Sequence, residues 1–169
     1  MGSEAGARGY LLTFSIAYLR DFMLDYKIIG ETFECSQSWN KVVDTTIRVR
    51  KRLELEHRKM LDKYSDLPYC KPFLSWRLTQ FYDSCVVIYF MFGYYCGDSN
   101  NAVDSFLTIE HSLRDEIILC SGSISHHHGV GKIRKPFIRD HMHYDTVKTL
   151  MNIRGCIDTH GILQTGNTY

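Results

Sequence analysis

Three consecutive histidines, His126 to His128, are the residues whose type and spacing most directly suggest chemistry. Serines precede them and Gly129 and Gly131 follow, so that the segment reads SISHHHGVGK. Imidazoles titrate near neutral pH and suit proton transfer, and glycines permit a tight backbone close to a ligand. Lys132 and Arg134 add positive charge that would hold an anionic substrate nearby. The residues alone leave two interpretations open, an active-site loop and a structural polar loop.

The segment matches neither of two common phosphate-binding motifs. A P-loop needs Ser or Thr after its lysine and a glycine at its start, but Ile133 follows Lys132 and His126 occupies the glycine position. A dinucleotide fingerprint needs a third glycine where this chain has Arg134. We therefore expect no nucleotide-phosphate loop here.

A metal site is also disfavoured by the residues themselves. In an extended chain, His126 and His128 point one way and His127 the other, so three adjacent rings do not easily close on one ion. We predict no metal. The same alternation predicts that His127 and its two neighbours are not equivalent.

The elements that would position this segment are a mixture of helices and strands. Apolar periodicity predicts helices over 9–30, with Gly30 as the stop, over 38–64 with Ser38 as the cap, from about 102 to 122, and more weakly over 143–154. Alternating β-branched and aromatic residues predict strands over 77–82 and 86–95, and 30–35 is predicted to be short and extended. Residues 98–100 read as a turn and 157–169 as irregular. This order favours an α+β fold.

Composition places the chain among ordinary globular proteins. Its 20 basic and 19 acidic residues nearly cancel, which gives no indication of a nucleic-acid partner. The six cysteines show no two-residue spacing, so reduced and mostly buried thiols are expected. The longest apolar run, Cys85 to Cys96, is too short to span a bilayer. The first residues show no signal-peptide pattern.

Several blocks in a fixed order resemble one family. The sequence resembles the alkylglycerone-phosphate synthases (alkyl-dihydroxyacetonephosphate synthases), which are FAD-linked oxidase-type flavoenzymes of ether-lipid synthesis, from about Gly9 to the end of the chain. The matching blocks are GYLLTF at 9–14, IAYLRD at 16–21, GETFECS at 30–36 with Trp39, RLTQFYD at 77–83, IYF at 88–90 and SISHHHGVGKIRK at 123–135.

The resemblance implies an activity and a cofactor. In this family the acyl chain of acyl-dihydroxyacetone phosphate leaves as a fatty acid and a long-chain fatty alcohol replaces it through an ether bond. FAD is required, although no net oxidation occurs. The expected class is therefore an alkyl transferase and flavoprotein of lipid metabolism.

The resemblance also implies residue roles. Arg20 matches the family's substrate-binding arginine, Tyr89 its catalytic tyrosine for proton transfer, and His126, His127 and His128 its functional histidine loop. Without the resemblance, Arg20 would read as an ion-pair partner of Asp21 or Asp25, and Tyr89 as part of an aromatic core. The individual roles of the three histidines are not separated by the match, and no FAD-binding residue is assigned.

In this family the matching part is the C-terminal cap or substrate domain, an antiparallel sheet with helices packed on one face. We therefore expect residues 1–8 to be a disordered start and 9–169 to be this domain, with the tail 157–169 returning toward a flavin domain. The family's N-terminal FAD-binding domain has no counterpart in these residues. The family pattern also weakens in the tail, where Asp158 is followed by Thr159 and His160.

Two hypotheses follow. The chain is either the C-terminal catalytic half of such a synthase, as a fragment or truncated product, or a catalytically inactive paralogue that binds a partner. In both cases we predict that the isolated chain binds no FAD stably and exposes an apolar face. By resemblance the location is peroxisomal, without a visible signal in the chain. The resemblance leaves a peripheral membrane contact and a homodimer open.

Overall fold

The computed structural model describes residues 3–64, 69–97, 102–163 and 166. Its sheet consists of three antiparallel strands in the order β1-β3-β2: β1 is Ile28–Ser38, β2 is Phe73–Phe81 and β3 is Cys85–Tyr95. Strands β2 and β3 form a hairpin with an irregularity between Leu78 and Gln80. The described residues also contain five α-helices: α1 (Ser3–Asp25), α2 (Val42–Lys63), α3 (Ala102–Leu119), α4 (Gly131–His141) and α5 (Tyr144–Ile157). The fold is α+β, as predicted.

The core lies between one face of the sheet and the helices α2 and α3. Alternation along β3 sends Ile88, Phe90 and Phe92 to this face, where they are buried. Phe33 stacks on Phe90 with ring centroids 5.0 Å apart and is fully buried. Helices α2 and α3 thus pack on one face of the antiparallel sheet, as expected, and part of the opposite face remains available for a site.

Several local predictions need correction. Helix α1 already ends at Asp25, because Lys27 adopts a positive φ of 59° and the chain then enters β1, so that Gly30 lies within a strand. Residues 3–8, which we expected to be disordered, form the first turns of α1, where Arg8 and Glu4 make an ion pair of 2.8 Å one turn apart.

The second and fourth helices also differ from expectation. Ser38 does not cap α2: its hydroxyl donates to the side chain of Gln37, and a short 3-10 turn, Trp39–Lys41, precedes the helix. Helix α4 was missed, because Pro136 lies inside it and is unfavourable in a helix interior. The predicted turn at 98–100 lies outside the described residues.

The cysteines and the apolar surface follow the sequence more closely. All six cysteines are free, although Cys70 and Cys156 are exposed rather than buried. Helix α1 leaves large apolar side chains such as Tyr10 and Phe14 exposed to more than two thirds. None of the described helices combines the length and apolar character that crossing a bilayer requires.

Candidate active site

The open face of the sheet carries a row of polar side chains. Glu34 on β1 lies directly opposite Tyr89 on β3, and Tyr89 lies directly opposite Arg77 on β2. Directly paired residues of antiparallel strands project to the same face, so the register places these three residues side by side across the sheet. They lie on the face opposite the buried Phe90. The row is the base of the candidate site.

Tyr89 is held at the centre of this row. Its hydroxyl lies 3.0 Å from the hydroxyl of Thr32, one pleat along β1. The guanidinium of Arg77 lies 5.1 Å from the centre of its ring, within the range of a cation–π contact. The ring of His128 approaches the Tyr89 ring edge-on, with centroids 6.5 Å apart. Core packing, the alternative for Tyr89, is therefore not what the structure shows.

The histidine segment reaches this row because its first residues are fixed against β1 and α3. Ser36 and Ser123 are joined by two hydrogen bonds. The Ser36 N–H donates to the Ser123 hydroxyl at 2.8 Å, and the Ser123 N–H donates to the Ser36 carbonyl at 3.0 Å. The Ile124 carbonyl accepts from Nη1 of the buried Arg114 at 2.9 Å. A buried ion pair between Arg114 and Glu110 holds that guanidinium in place.

The carboxylate of Glu34 holds the backbone of the three histidines by hydrogen bonds. Its carboxylate is fully buried, and Oε1 accepts the backbone N–H groups of His126, His127 and His128 at 2.9, 2.8 and 3.2 Å. The Ser125 hydroxyl adds a contact of 3.3 Å to the same oxygen. Successive N–H groups converging on one anion form a concave anion-binding turn of the kind called a nest.

This convergence explains the charge of Glu34. Burial by itself raises the pKa of the carboxyl, but the three backbone donors and the nearby His128 together lower it to about 2. Glu34 is therefore ionised throughout the neutral range. Glu34 lies within the matching block 30–36, but the resemblance implied no role for it. A carboxylate between the apolar residues Phe33 and Cys35 was the available signal.

The same convergence corrects the predicted direction of the three rings. The segment is a series of bends, not an extended chain, so the rings do not alternate: His127 and His128 have centroids only 4.2 Å apart. Gly129 and Gly131 have positive φ values of 69° and 60°, in agreement with the expectation that glycines permit a tight backbone here.

Each histidine nevertheless has its own partner. Nε2 of His126 lies 2.9 Å from the hydroxyl of Tyr82, at the end of the β2–β3 hairpin. Nδ1 of His127 lies 2.5 Å from Oε2 of Glu34. Nδ1 of His128 lies 3.4 Å from a guanidinium nitrogen of Arg134. Inequivalence among the three was expected, but its cause is this set of partners and not alternation.

Glu34, His126 and His127 also bring one potential ligand atom each within 4.8 Å of the others. The argument against metal assumed an extended chain and so did not foresee this cluster. However, Oε1 of Glu34 already accepts three backbone N–H groups, and Nε2 of His126 is engaged with Tyr82. Oε2 of Glu34 and Nδ1 of His126, which lies 3.4 Å from Nδ1 of His127, are not used by these contacts.

Arg20 lies at a different part of the open face. It lines an apolar groove of about 720 Å³ between α1 and the ends of β1 and β3, together with Ile16, Leu19, Met23 and Tyr95, among others. Its guanidinium lies 3.9 Å from the exposed carboxylate of Asp21, which is a weak ion pair. Thr32 lines the same groove and contacts Tyr89, so it connects the groove to the polar row.

Comparison with known proteins gives a consistent family. A family model described as "FAD linked oxidases, C-terminal domain" matches residues 3–168. The chain is 38% identical over 166 residues to alkyldihydroxyacetonephosphate synthase of Caenorhabditis elegans, covering 98% of this chain and 27% of that protein. The synthase of Dictyostelium discoideum is 24% identical over 162 residues, covering 96% of this chain and 25% of that protein. The chain thus spans about a quarter of the length of these relatives.

Solved structures agree on the fold. An alkyldihydroxyacetonephosphate synthase in the P1 crystal form matches with a TM-score of 0.54 at 14% identity, over 86% of this chain and 21% of the solved one. A structure of the same synthase in P212121 matches with a TM-score of 0.50 at 19% identity, over 66% and 18% of the two chains. At such low identity the likeness supports the fold alone, and the roles of Arg20, Tyr89 and the histidines stay predictions.

Proposed function

Because the chain belongs to the family of C-terminal domains of FAD-linked oxidases, we propose that it supplies the substrate-binding and proton-transferring side of an FAD-dependent synthase of ether lipids. The proposed reaction exchanges the acyl group of acyl-dihydroxyacetone phosphate for a long-chain fatty alcohol. One observation carries this proposal. Tyr89 lies on the open sheet face, and its hydroxyl is hydrogen-bonded to Thr32, which lines the same apolar groove as Arg20.

The groove suits a substrate with a long alkyl chain and a phosphate. Its walls are mainly apolar side chains, which would remove alkyl surface from water. Arg20 offers a guanidinium, whose fork of donors matches phosphate oxygens. The substrates of the proposed reaction combine both features.

The exchange balances without net oxidation. The bond between C1 and the ester oxygen breaks and the fatty acid leaves as a carboxylate, while the alcohol oxygen forms the new ether bond to C1 and its proton is released. Tyr89 would take a proton from C1 and return it, since its hydroxyl shares a hydrogen bond with Thr32 that allows either group to donate. The three histidines next to it would receive the remaining proton.

The described residues fit a position beside the flavin ring and the substrate rather than a position that holds the FAD phosphates. The row Arg77–Tyr89–Glu34 lies on the open sheet face, and Tyr89 and the histidines present polar groups there. Gly129 and Gly131 form no phosphate cradle, because a Cβ at either position would lie in open space. When bound, FAD supplies the reactive ring system that the exchange requires. Tyr89 and the histidines would orient the substrate and move its protons.

A complementation experiment tests the proposal. The gene for this chain is introduced into cells whose alkyldihydroxyacetonephosphate synthase has lost only the part that corresponds to this chain, and ether lipids are measured by mass spectrometry. We expect the wild-type chain to restore ether lipids and Tyr89→Phe to lower them on the order of 100-fold, the usual scale for losing a proton-transfer group. Tyr144→Phe is the matched control, because Tyr144 is 72% exposed.

Arg20 has its own control on the same helix. Arg20→Gln should weaken the use of acyl-dihydroxyacetone phosphate, whereas Arg8→Gln should not, since Arg8 pairs with the exposed Glu4 one turn away. Failure of the wild-type chain to restore any ether lipid would contradict the proposal and favour a partner-binding role. Peroxisomal location is a proposal of the same standing, and imaging of the tagged chain in these cells tests it.

A further inference from the structure

We propose that Glu34 is the positioning residue of the histidine loop, and that its buried carboxylate keeps the proton of His127 on Nδ1 and so presents Nε2 as the proton acceptor of the site. The inference rests on the proposed function for its catalytic meaning. The hydrogen-bond arrangement itself stands on the contacts of Glu34 alone.

The two oxygens of Glu34 have different tasks. Oε1 holds the backbone, because the N–H groups of three successive histidines donate to it. Oε2 is buried and makes no hydrogen bond of regular geometry, although Nδ1 of His127 lies 2.5 Å from it. A buried carboxylate oxygen needs a partner, and Nδ1 is the atom that the structure places within reach.

A proton must lie between these two atoms. A carboxylate oxygen and an unprotonated imidazole nitrogen repel each other at 2.5 Å through their lone pairs, whereas a proton on Nδ1 makes the contact attractive although it lacks regular hydrogen-bond geometry. Nδ1 of His127 also lies 3.4 Å from Nδ1 of His126, which can accept from it, so a proton on Nδ1 of His127 suits both contacts and leaves the free lone pair on Nε2. A carboxylate behind an imidazole fixes the tautomer in this way and stabilises the imidazolium that forms when Nε2 accepts a proton.

The other two histidines lack this arrangement. Nε2 of His126 is engaged with the hydroxyl of Tyr82, and Nδ1 of His128 faces the guanidinium of Arg134 and lies 3.9 Å from Oε1 of Glu34. The side chain of His127 is 54% exposed while Glu34 is fully covered. His127 thus combines a buried anion on one nitrogen with access from the open face on the other.

The variant Glu34→Gln separates this role from mere packing. Gln has the same shape, and its carbonyl oxygen still accepts the backbone N–H groups, but its amide offers N–H donors toward Nδ1. A donor at that position favours an unprotonated Nδ1, so the tautomer of His127 should change from Nδ1–H to Nε2–H. Asp115→Asn is the matched control, because it removes an exposed carboxylate from α3, away from the loop.

The readout is the tautomer of His127 in long-range proton–nitrogen NMR spectra of the chain, recorded at a pH where the imidazoles are neutral and assigned with His127→Gln. We expect Nδ1–H in the wild-type and Asp115→Asn proteins and Nε2–H in Glu34→Gln. Nε2–H in the wild-type protein overturns the inference, and this measurement does not depend on whether the variant folds. An unchanged tautomer in a folded Glu34→Gln protein also overturns it.

Zinc provides a second way for the inference to fail. If added zinc chloride binds at one equivalent and shifts the His127 signals, while Glu34→Gln abolishes that binding, the cluster is a metal site and Nδ1 is not the proton carrier. In the ether-lipid assay, Glu34→Gln should lower the ether lipids on the order of 100-fold, as Tyr89→Phe does. A wild-type chain without activity but with Nδ1–H refutes the proposed function and leaves the arrangement of His127 intact.

Discussion

Acid should weaken this fold measurably through one side chain, Glu34. Its pKa is lowered from 4.5 to about 2 in the folded chain, so the folded state binds this proton less readily than the unfolded state. The stabilisation is therefore complete above about pH 4.5 and is lost as the pH falls through 2. A shift of this size corresponds to about 3 kcal/mol at neutral pH, of which about 2 kcal/mol is already lost at pH 3.

The substitution Glu34→Gln isolates this contribution. The variant keeps a neutral acceptor for the backbone donors but has no carboxyl to protonate. Urea unfolding followed by tryptophan fluorescence, at intervals from pH 7 to pH 3, gives the free energy of unfolding of both proteins. We expect the variant to be less stable at pH 7 and the gap between the two to shrink by about 2 kcal/mol at pH 3. Asp115→Asn should run parallel to the wild-type protein. A constant gap between wild type and Glu34→Gln would refute the role of the three backbone donors.

Three further changes test the packing that supports the site. Gly122→Ala should destabilise the fold by about 1–3 kcal/mol in urea unfolding, since its Cβ would lie 2.7 Å from a methyl carbon of α3, whereas Gly155→Ala, with open space around it, should be neutral or stabilising by up to about 1 kcal/mol. Phe90→Ala should cost about 3–5 kcal/mol because the ring is fully buried, and a loss below about 1 kcal/mol would contradict the core described above. Arg114→Met should cost about 3 kcal/mol by leaving the buried Glu110 unpaired, and the double variant with Glu110→Leu should recover most of that loss; an additive loss would exclude coupling of the pair.

Local patterns in the sequence were enough to predict the scaffold. Alternation along β3 indicated that Ile88, Phe90 and Phe92 share one face and that Tyr89 lies on the other, and the structure shows that the first face is the core. These predictions succeeded because period and apolar character are properties of neighbouring residues. The predictions at the helix ends were weaker: Ser38 has the right residue type for a cap, but its hydroxyl bonds to Gln37. Helix α4 was missed because Pro136 opposes a helix on local grounds.

The site itself depends on distances that no local pattern contains. Glu34 and the histidines are more than 90 residues apart in sequence, and the β1–β3 register and the Ser36–Ser123 contacts bring them together. The sequence by itself determined which residue types were present, three imidazoles and glycines that permit a tight turn. Only the tertiary structure decided that a buried carboxylate draws three N–H groups onto one oxygen, bends the segment and gives each ring a different partner, because an anion without water must be satisfied by the donors that the fold places around it.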